Sequence, residues 1–227
     1  MPAQPTLFSP TDLLRRARAN LYTKGHLLGK TGQRFEIWPS GLTADAGDYL
    51  KDLVVKERAR RTIETGFALG LSASFIIEGM LESGGEFISH TSVDPYQRES
   101  WDYSGRYTLR YLEIDRHATL IEKDSLLTLP ELVSQGLTFD LAYVDGGHNF
   151  EHIFCDTLYM TRLVRPGGLI ILDDMWMPAS KRALSYFTTN MGLTHENPKD
   201  KSPGKRFGVL RLPENPLDRA WDHFVPF

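Results

Sequence analysis

An α/β fold built on a mostly parallel, doubly wound sheet is what this sequence predicts, on three observations. From residue 61 onward short apolar runs alternate with longer amphipathic stretches, the pattern of crossover units whose sheet is covered on both faces. Glycines and acids follow the apolar runs, at the positions where strands of an open sheet end and ligands bind. The chain's 227 residues are enough for one well-buried core, so a single domain is expected.

The elements follow in order. Ser9-Pro10-Thr11-Asp12 is a helix-start signal, and 11–32 mix Leu with Arg in an irregular helical period, which predicts an N-terminal helical cap. Pro39, Gly41 and Gly47 among polar residues make 33–50 a loop over the domain, ahead of a helix over 48–59. RTIETGF (61–67) reads as the first core strand, SASFIIEGMLES (72–83) as a helix and EFISHTSVD (86–94) as the second strand. A helix over 99–112, a short strand at ATLIEK (118–123) and a helix at LLTLPELVSQ (126–135) come next. FDLAYVD (139–145) is the fourth strand, followed by a helix over 150–164, the fifth strand GGLIILDD (167–174) and a helix over 178–191. LTHEN (193–197) and KRFGVLRL (205–212), joined by the loop NPKDKSPG, are the expected antiparallel pair at one edge. Residues 1–60 therefore read as a helical cap and substrate-side loop, and 61–227 as the core.

The bulk numbers narrow the function. Hydrophobic residues at 41% and charged residues at 24% are ordinary globular composition. A net charge of −3 and a pI near 6.2 give no electrostatic case for nucleic acid. No apolar run approaches the roughly 18 residues of a membrane span. The single cysteine, Cys155, rules out an intramolecular disulfide framework and fits a reducing compartment, and MPAQPTLFSP lacks a basic-then-apolar signal pattern. A cytoplasmic protein acting on a small molecule is expected, and an N-terminal helical extension of this kind is expected to pack against a second copy in a homodimer.

The strand ends carry the chemistry. Glu64-Thr65-Gly66-Phe67-Ala68-Leu69-Gly70-Leu71-Ser72 places two glycines four apart, which lets the backbone turn sharply near a ligand, with Ser72 positioned to cap the next helix. It is not the G-x-G-x-x-G dinucleotide fingerprint, which disfavours a nicotinamide oxidoreductase. Glu64 would repel a phosphate and suits an ammonium. Asp94, in VDPYQ, stands where nucleoside-binding α/β folds hold ribose hydroxyls, and Tyr96 can lie against an adenine face. Asp124 and Ser125 either bind the adenine amino group or cap the helix that follows. In AYVDGGHNF, Asp145 and His148 sit three residues apart just past the fourth strand, with Asn149 the natural N-cap of the next helix.

The motifs ETGFALGLS, VDPYQ, VDGGH and RPGGLIILDD, in this order and spacing, resemble a class I S-adenosylmethionine-dependent methyltransferase over residues 61–174. They are most similar to the group containing the macrocin and mycinamicin sugar O-methyltransferases and the cephalosporin hydroxylase-like proteins. The resemblance implies a Rossmann-like seven-stranded sheet. It implies that Glu64, Gly66, Phe67 and Gly70 surround the methionine part of the cofactor, with Ser72 at the helix start. It also implies that Asp94 holds the ribose, that Tyr96, Asp124 and Ser125 frame the adenine, and that Asp145 lies toward the cofactor.

Asp145 and the pair Asp173-Asp174 should be neighbours on one sheet edge, and three converging carboxylates repel unless a cation, a proton or a positive substrate group is present. Mg²⁺ bound through carboxylate oxygens would resolve that charge and hold substrate hydroxyls. The resemblance implies the same ligand set, Asp145, Asp173 and Asp174, although Asp173 stands where that family often has Glu. His148 is the expected general base, because neutral imidazole has a pKa suited to accept the proton of an attacking alcohol or phenol. Trp176 and Met177 are candidates for an apolar substrate wall, and Trp38, Tyr49 and Trp101-Asp102-Tyr103 for the rest of an acceptor pocket. The expected function is O-methylation of a small specialised metabolite. The alternatives are metal-independent C- or N-methylation of an aromatic or indole-type acceptor, and a catalytically silent cofactor-binding partner.

Overall fold

The computed structural model describes residues 9–84, 87–196, 206–215 and 218–227. An N-terminal part comprises α1 (Pro10–Lys24), β1 (His26–Leu28), β2 (Arg34–Glu36) and α2 (Ala44–Glu57). The core follows as β3 (Arg61–Thr65), α3 (Leu71–Glu82), β4 (Ser89–Val93), α4 (Ser104–Tyr111), β5 (Ala118–Ile121), α5 (Ser125–Ser134) and β6 (Phe139–Val144). It is completed by α6 (Phe150–Leu163), β7 (Val164–Leu172), α7 (Pro178–Met191), β8 (Thr194–His195) and β9 (Gly208–Arg211). Among the described residues, seven strands form one sheet in the order β5-β4-β3-β6-β7-β9-β8. The first five are parallel, and β9 runs antiparallel to both β7 and β8. This is the expected doubly wound, mostly parallel sheet with an antiparallel edge. Strand order reverses between β3 and β6, where such sheets bind their ligands.

Side-chain alternation along the central strands builds two cores. Leu141, Tyr143, Leu169 and Ile171 face α1 to α4, packing with Leu14, Leu50 and Phe75. Ala142, Val144, Ile170 and Leu172 face α5 to α7, packing with Leu129, Ile153 and Phe187. The period of two thus sends consecutive residues of one strand to opposite layers.

The N-terminal part departs from the sequence expectation. A capping box between Ser9 and Asp12 starts α1 as anticipated, but the helix stops at Gly25, whose φ of 73° ends it, rather than continuing to 32. The next residues form a hairpin, β1 with β2, closed by Gly29 N–H to Gln33 O at 2.8 Å. Three-residue strands leave almost no periodic signal, which is why 33–50 read as a loop. Thr43 caps α2 through the Ala46 N–H, so that helix begins at 44 instead of 48. In the core, α4 begins at Ser104 rather than 99, after Asp102 and Tyr103 take left-handed φ values of 43° and 58°. The β7 strand begins at Val164, which pairs with Phe139. Residue 86 of the expected second strand, the loop NPKDKSPG, and residues 197 and 205 of the final strands lie outside the described residues. Among the described residues no helix is long and apolar enough to cross a membrane.

Backbone bonds align the strand ends. Gly66 N–H donates to Val93 O at 2.9 Å, Asp94 to Ile121 O at 3.1 Å, Asp145 to Thr65 O at 3.0 Å and Asp173 to Val144 O at 3.0 Å. The ladder therefore continues one residue past each strand and delivers Gly66, Asp94, Asp145 and Asp173 to a single edge.

Candidate active site

Along that edge runs a cleft of about 1130 Å³. Its floor is the turn after β3. Gly66 has φ +82°, and a Cβ there would stand 2.0 Å from Asp145 O, so the turns after β3 and β6 touch backbone to backbone. Asp94 locks the same turn: its Oδ2 accepts from Phe67 N–H at 3.0 Å and Ala68 N–H at 2.8 Å, and its Oδ1 from Tyr96 N–H at 2.7 Å. A carboxylate has about four lone-pair sites. Gln97 Nε2 adds a third contact to Oδ2 at 3.4 Å, while Oδ1 carries only the Tyr96 bond, so Oδ1 keeps acceptor capacity for one ligand hydroxyl while the main work of Asp94 is to shape the loop.

Glu64 does not line the cleft. It is fully buried, taking hydrogen bonds from Ser72 Oγ and Ser92 Oγ at 2.8 Å each, with His90 Nε2 3.1 Å away. The direct ammonium contact expected from sequence is not available to it, and Ser72, which does line the cleft, stands between. Ser72 is not the helix cap either: Gly70 is the N-cap of α3, without a side-chain bond, and packs against α4 outside the cleft. Gly66, Phe67, Ser72, Asp94, Tyr96, Asp124, Ser125 and Asp145 all line the cleft. Asp124 caps α5, through Leu126 N–H at 2.7 Å, and also lines the cleft. Tyr96 is 57% exposed, leaving its ring free to meet a planar group.

The acids after β6 and β7 do not converge as three ligands. Asp173 is 3% exposed, and its Oδ1 accepts the Asp174 N–H at 2.6 Å. The Tyr143 hydroxyl donates to Asp173 Oδ2 and lies 3.2 Å from Asp145. Arg206 Nε sits 2.5 Å from Asp173 Oδ1, and its Nη2 3.6 Å from Asp174 Oδ1. What does converge is Asp145, Asp174 and His148. Two carboxylates and an imidazole beside a guanidinium do not fit the all-oxygen set that Mg²⁺ prefers, so the three-aspartate site expected from sequence is not assembled.

Electrostatics follow from this crowding. Burial, Asp173 and Asp174 push the Asp145 carboxyl up to about 8, with His148 and Arg206 opposing. Asp174 is raised by burial and by Asp173. Tyr143, wholly buried between carboxylates, is raised well above the ordinary phenol range. The His148 imidazole is held above its ordinary value by its pairing with Asp145, against partial burial, with Asp174 and Asp173 adding to the rise. His148 is 56% exposed; its Nε2 is 3.2 Å from Asp174 Oδ2 and 3.8 Å from Asp145 Oδ1. Only the Asp174 contact is within hydrogen-bonding distance; the Asp145 one is a charge contact. Asn149 is the N-cap of α6, without a side-chain capping bond.

The opposite wall comes from the N-terminal part and from the segments after β4 and β7. Trp38, Trp101 and Trp176 line it; Tyr49 instead stacks on Phe207, and Asp102 is bound to Thr31. Met177 is the N-cap of α7 and does not line the cleft. Two participants were missed from the sequence. Tyr143 lies two residues before Asp145, on the same side of the strand, so the period of two was a usable signal. Arg206 had none, because only the antiparallel register of β9 on β7, Gly208 opposite Leu172, carries it back to Asp174.

Residues 63–175 match a family described as a methyltransferase domain. Solved structures share the fold over nearly the whole chain. Cofactor-bound Rv0187 from MTB is 21% identical, with a TM-score of 0.66, covering 92% of this chain and 94% of its own. The O-methyltransferase TomG from Streptomyces achromogenes, involved in tomaymycin synthesis and solved with S-adenosylmethionine, is 17% identical with a TM-score of 0.64, covering 92% of both chains. An O-methyltransferase from Bacillus cereus, in complex with S-adenosylhomocysteine, is 14% identical with a TM-score of 0.63, covering 91% of both. No curated protein matches the chain significantly.

Proposed function

Starting from a chain that is an S-adenosylmethionine-dependent methyltransferase, its residues 63–175 forming a methyltransferase domain, we propose that it methylates a hydroxyl oxygen of a small specialised metabolite, a sugar or polyphenol. His148 is the general base. The observation that carries this reading is the placement of His148 on the cleft with Nε2 facing Asp174 at 3.2 Å.

The cleft residues fit the cofactor. The Gly66 turn, which any Cβ would obstruct, gives backbone access, and Asp94 retains one acceptor site for a ribose hydroxyl. The cleft-facing Ser72 and the exposed ring of Tyr96 suit the amino-acid and adenine ends. When bound, S-adenosylmethionine supplies an electrophilic methyl group on a positive sulfur. The chain's part is to bring the acceptor oxygen in line and to take its proton as attack proceeds. With Nε2–H held toward the carboxylates, the free lone pair of His148 is on Nδ1, and that atom accepts the acceptor's proton. The imidazolium so formed is stabilised by Asp174, 3.2 Å from Nε2. Exposed Trp38 and Trp176 supply flat apolar walls for the acceptor.

The test is a pH profile with an acceptor that supports turnover. Because the His148 pKa is raised, the unprotonated base appears only as pH climbs past its ordinary value near 6.5. The acidic limb of kcat/KM should therefore rise with an apparent pKa above that value. Asp174→Asn removes one of the anions that raise it and should move the limb to lower pH, by on the order of half to one unit. A limb that stays in place in Asp174→Asn would mean that another group sets it.

A further inference from the structure

Three carboxylates at one sheet edge need positive charge, and the fold has built a cation into the cluster. Arg206 is pinned on both sides: its carbonyl accepts the Met175 N–H at 2.9 Å, and the adjacent Phe207, 1% exposed, stacks on Tyr49 at 5.7 Å with planes 7° apart. From this anchored position the guanidinium reaches Asp173 at 2.5 Å and Asp174 at 3.6 Å. Arg206 also lines the cleft, with about a quarter of its side chain exposed. Three of the roughly four acceptor positions of Asp173 are taken, Oδ2 meeting Tyr143 and Oδ1 meeting Arg206 and the Asp174 N–H.

We propose that Arg206 is the resident cation of the acceptor site, a positioning residue that takes the place of a divalent ion in holding Asp173 and Asp174, and through them His148. The proposal rests on the methyltransferase reading above and deepens it: methyl transfer in this chain is independent of added metal. A guanidinium suits the task because it remains charged at every working pH and its planar fork meets two carboxylates at once. It also repels a second cation. A divalent ion among Asp145, Asp174 and His148 would stand close to the guanidinium and would find Asp173 already engaged. Mg²⁺, which gives up its waters reluctantly, has the least to gain there.

The experiment is a Mn²⁺ titration of the full chain followed by electron paramagnetic resonance, on wild type, Arg206→Met and Arg206→Lys, alongside turnover with chelator or with Mg²⁺. Wild type is expected to show no saturable Mn²⁺ site and equal turnover in both conditions. Arg206→Met should lose turnover and gain a Mn²⁺ site on the order of tenfold tighter or better. Arg206→Lys keeps the charge and should gain none. Saturable Mn²⁺ binding by wild type with chelator-sensitive turnover overturns the proposal, as does a folded Arg206→Met protein with no gain in Mn²⁺ affinity. If Arg206→Met does not fold, the wild-type titration decides alone. The titration needs no acceptor, so its failure is distinct from failure of the general-base assignment, which the His148 variants test.

Discussion

His148→Ala is expected to lower kcat by roughly 10²- to 10⁴-fold, the range associated with losing a positioned general base, while leaving cofactor binding unchanged. The side chain is more than half exposed and contacts Asp145 and Asp174 rather than the Gly66 turn. Its removal therefore opens no core cavity, and fold stability should change by no more than about 0.5 kcal/mol. Calorimetry with S-adenosylhomocysteine should give the wild-type Kd. The pH profile should lose its acidic limb, because the group that must shed a proton is gone. A variant that retained most of its turnover, or lost it together with cofactor affinity, would move the base elsewhere or make His148 a structural residue.

Gly66→Ala is expected to damage the cofactor site itself. The φ of +82° costs an L-residue about 1–2 kcal/mol. The new Cβ, 2.0 Å from Asp145 O, must also push two packed turns apart, at about 1–3 kcal/mol more. The obstacle is backbone, so no rotamer change relieves it. Part of the cost appears as a lower Tm and part as a displaced turn that no longer meets the ligand. The Kd for S-adenosylhomocysteine should rise on the order of 100-fold. The hydrogen bonds from Phe67 and Ala68 to Asp94 cross the same turn, so its displacement leaves a buried carboxylate with fewer donors. An unchanged Kd and Tm would show that the two turns do not touch in solution.

These two positions show what was legible in the sequence. Gly66, Asp94, Asp145 and Asp173 each end an apolar run, and a parallel sheet in register delivers the ends of its strands to one edge. Local pattern together with one topological rule therefore located most of the cleft. Side-chain direction was less accessible. Glu64 follows the same rule of position, yet Ser72, Ser92 and His90 draw its carboxylate under the loop. Asp173 is adjacent in sequence to Asp174 but is turned into the sheet, toward Tyr143 and Arg206. Arg206 was out of reach because its partners lie more than thirty residues earlier and only the β9 register joins them. The hairpin of β1 and β2 went unseen because three residues are too few to establish a period.

The central claim is that the cleft directs a methyl group to an acceptor oxygen made nucleophilic by His148. The most direct measurement uses cofactor labelled with ¹³C at the transferred methyl, a panel of phenols, sugars and indoles, and NMR of the products formed by wild type and His148→Ala. Wild type should give a methoxy resonance from a hydroxylated acceptor, reduced on the order of 10²-fold or more in His148→Ala. A label found on nitrogen or ring carbon, or a methoxy product formed equally well without His148, would contradict it.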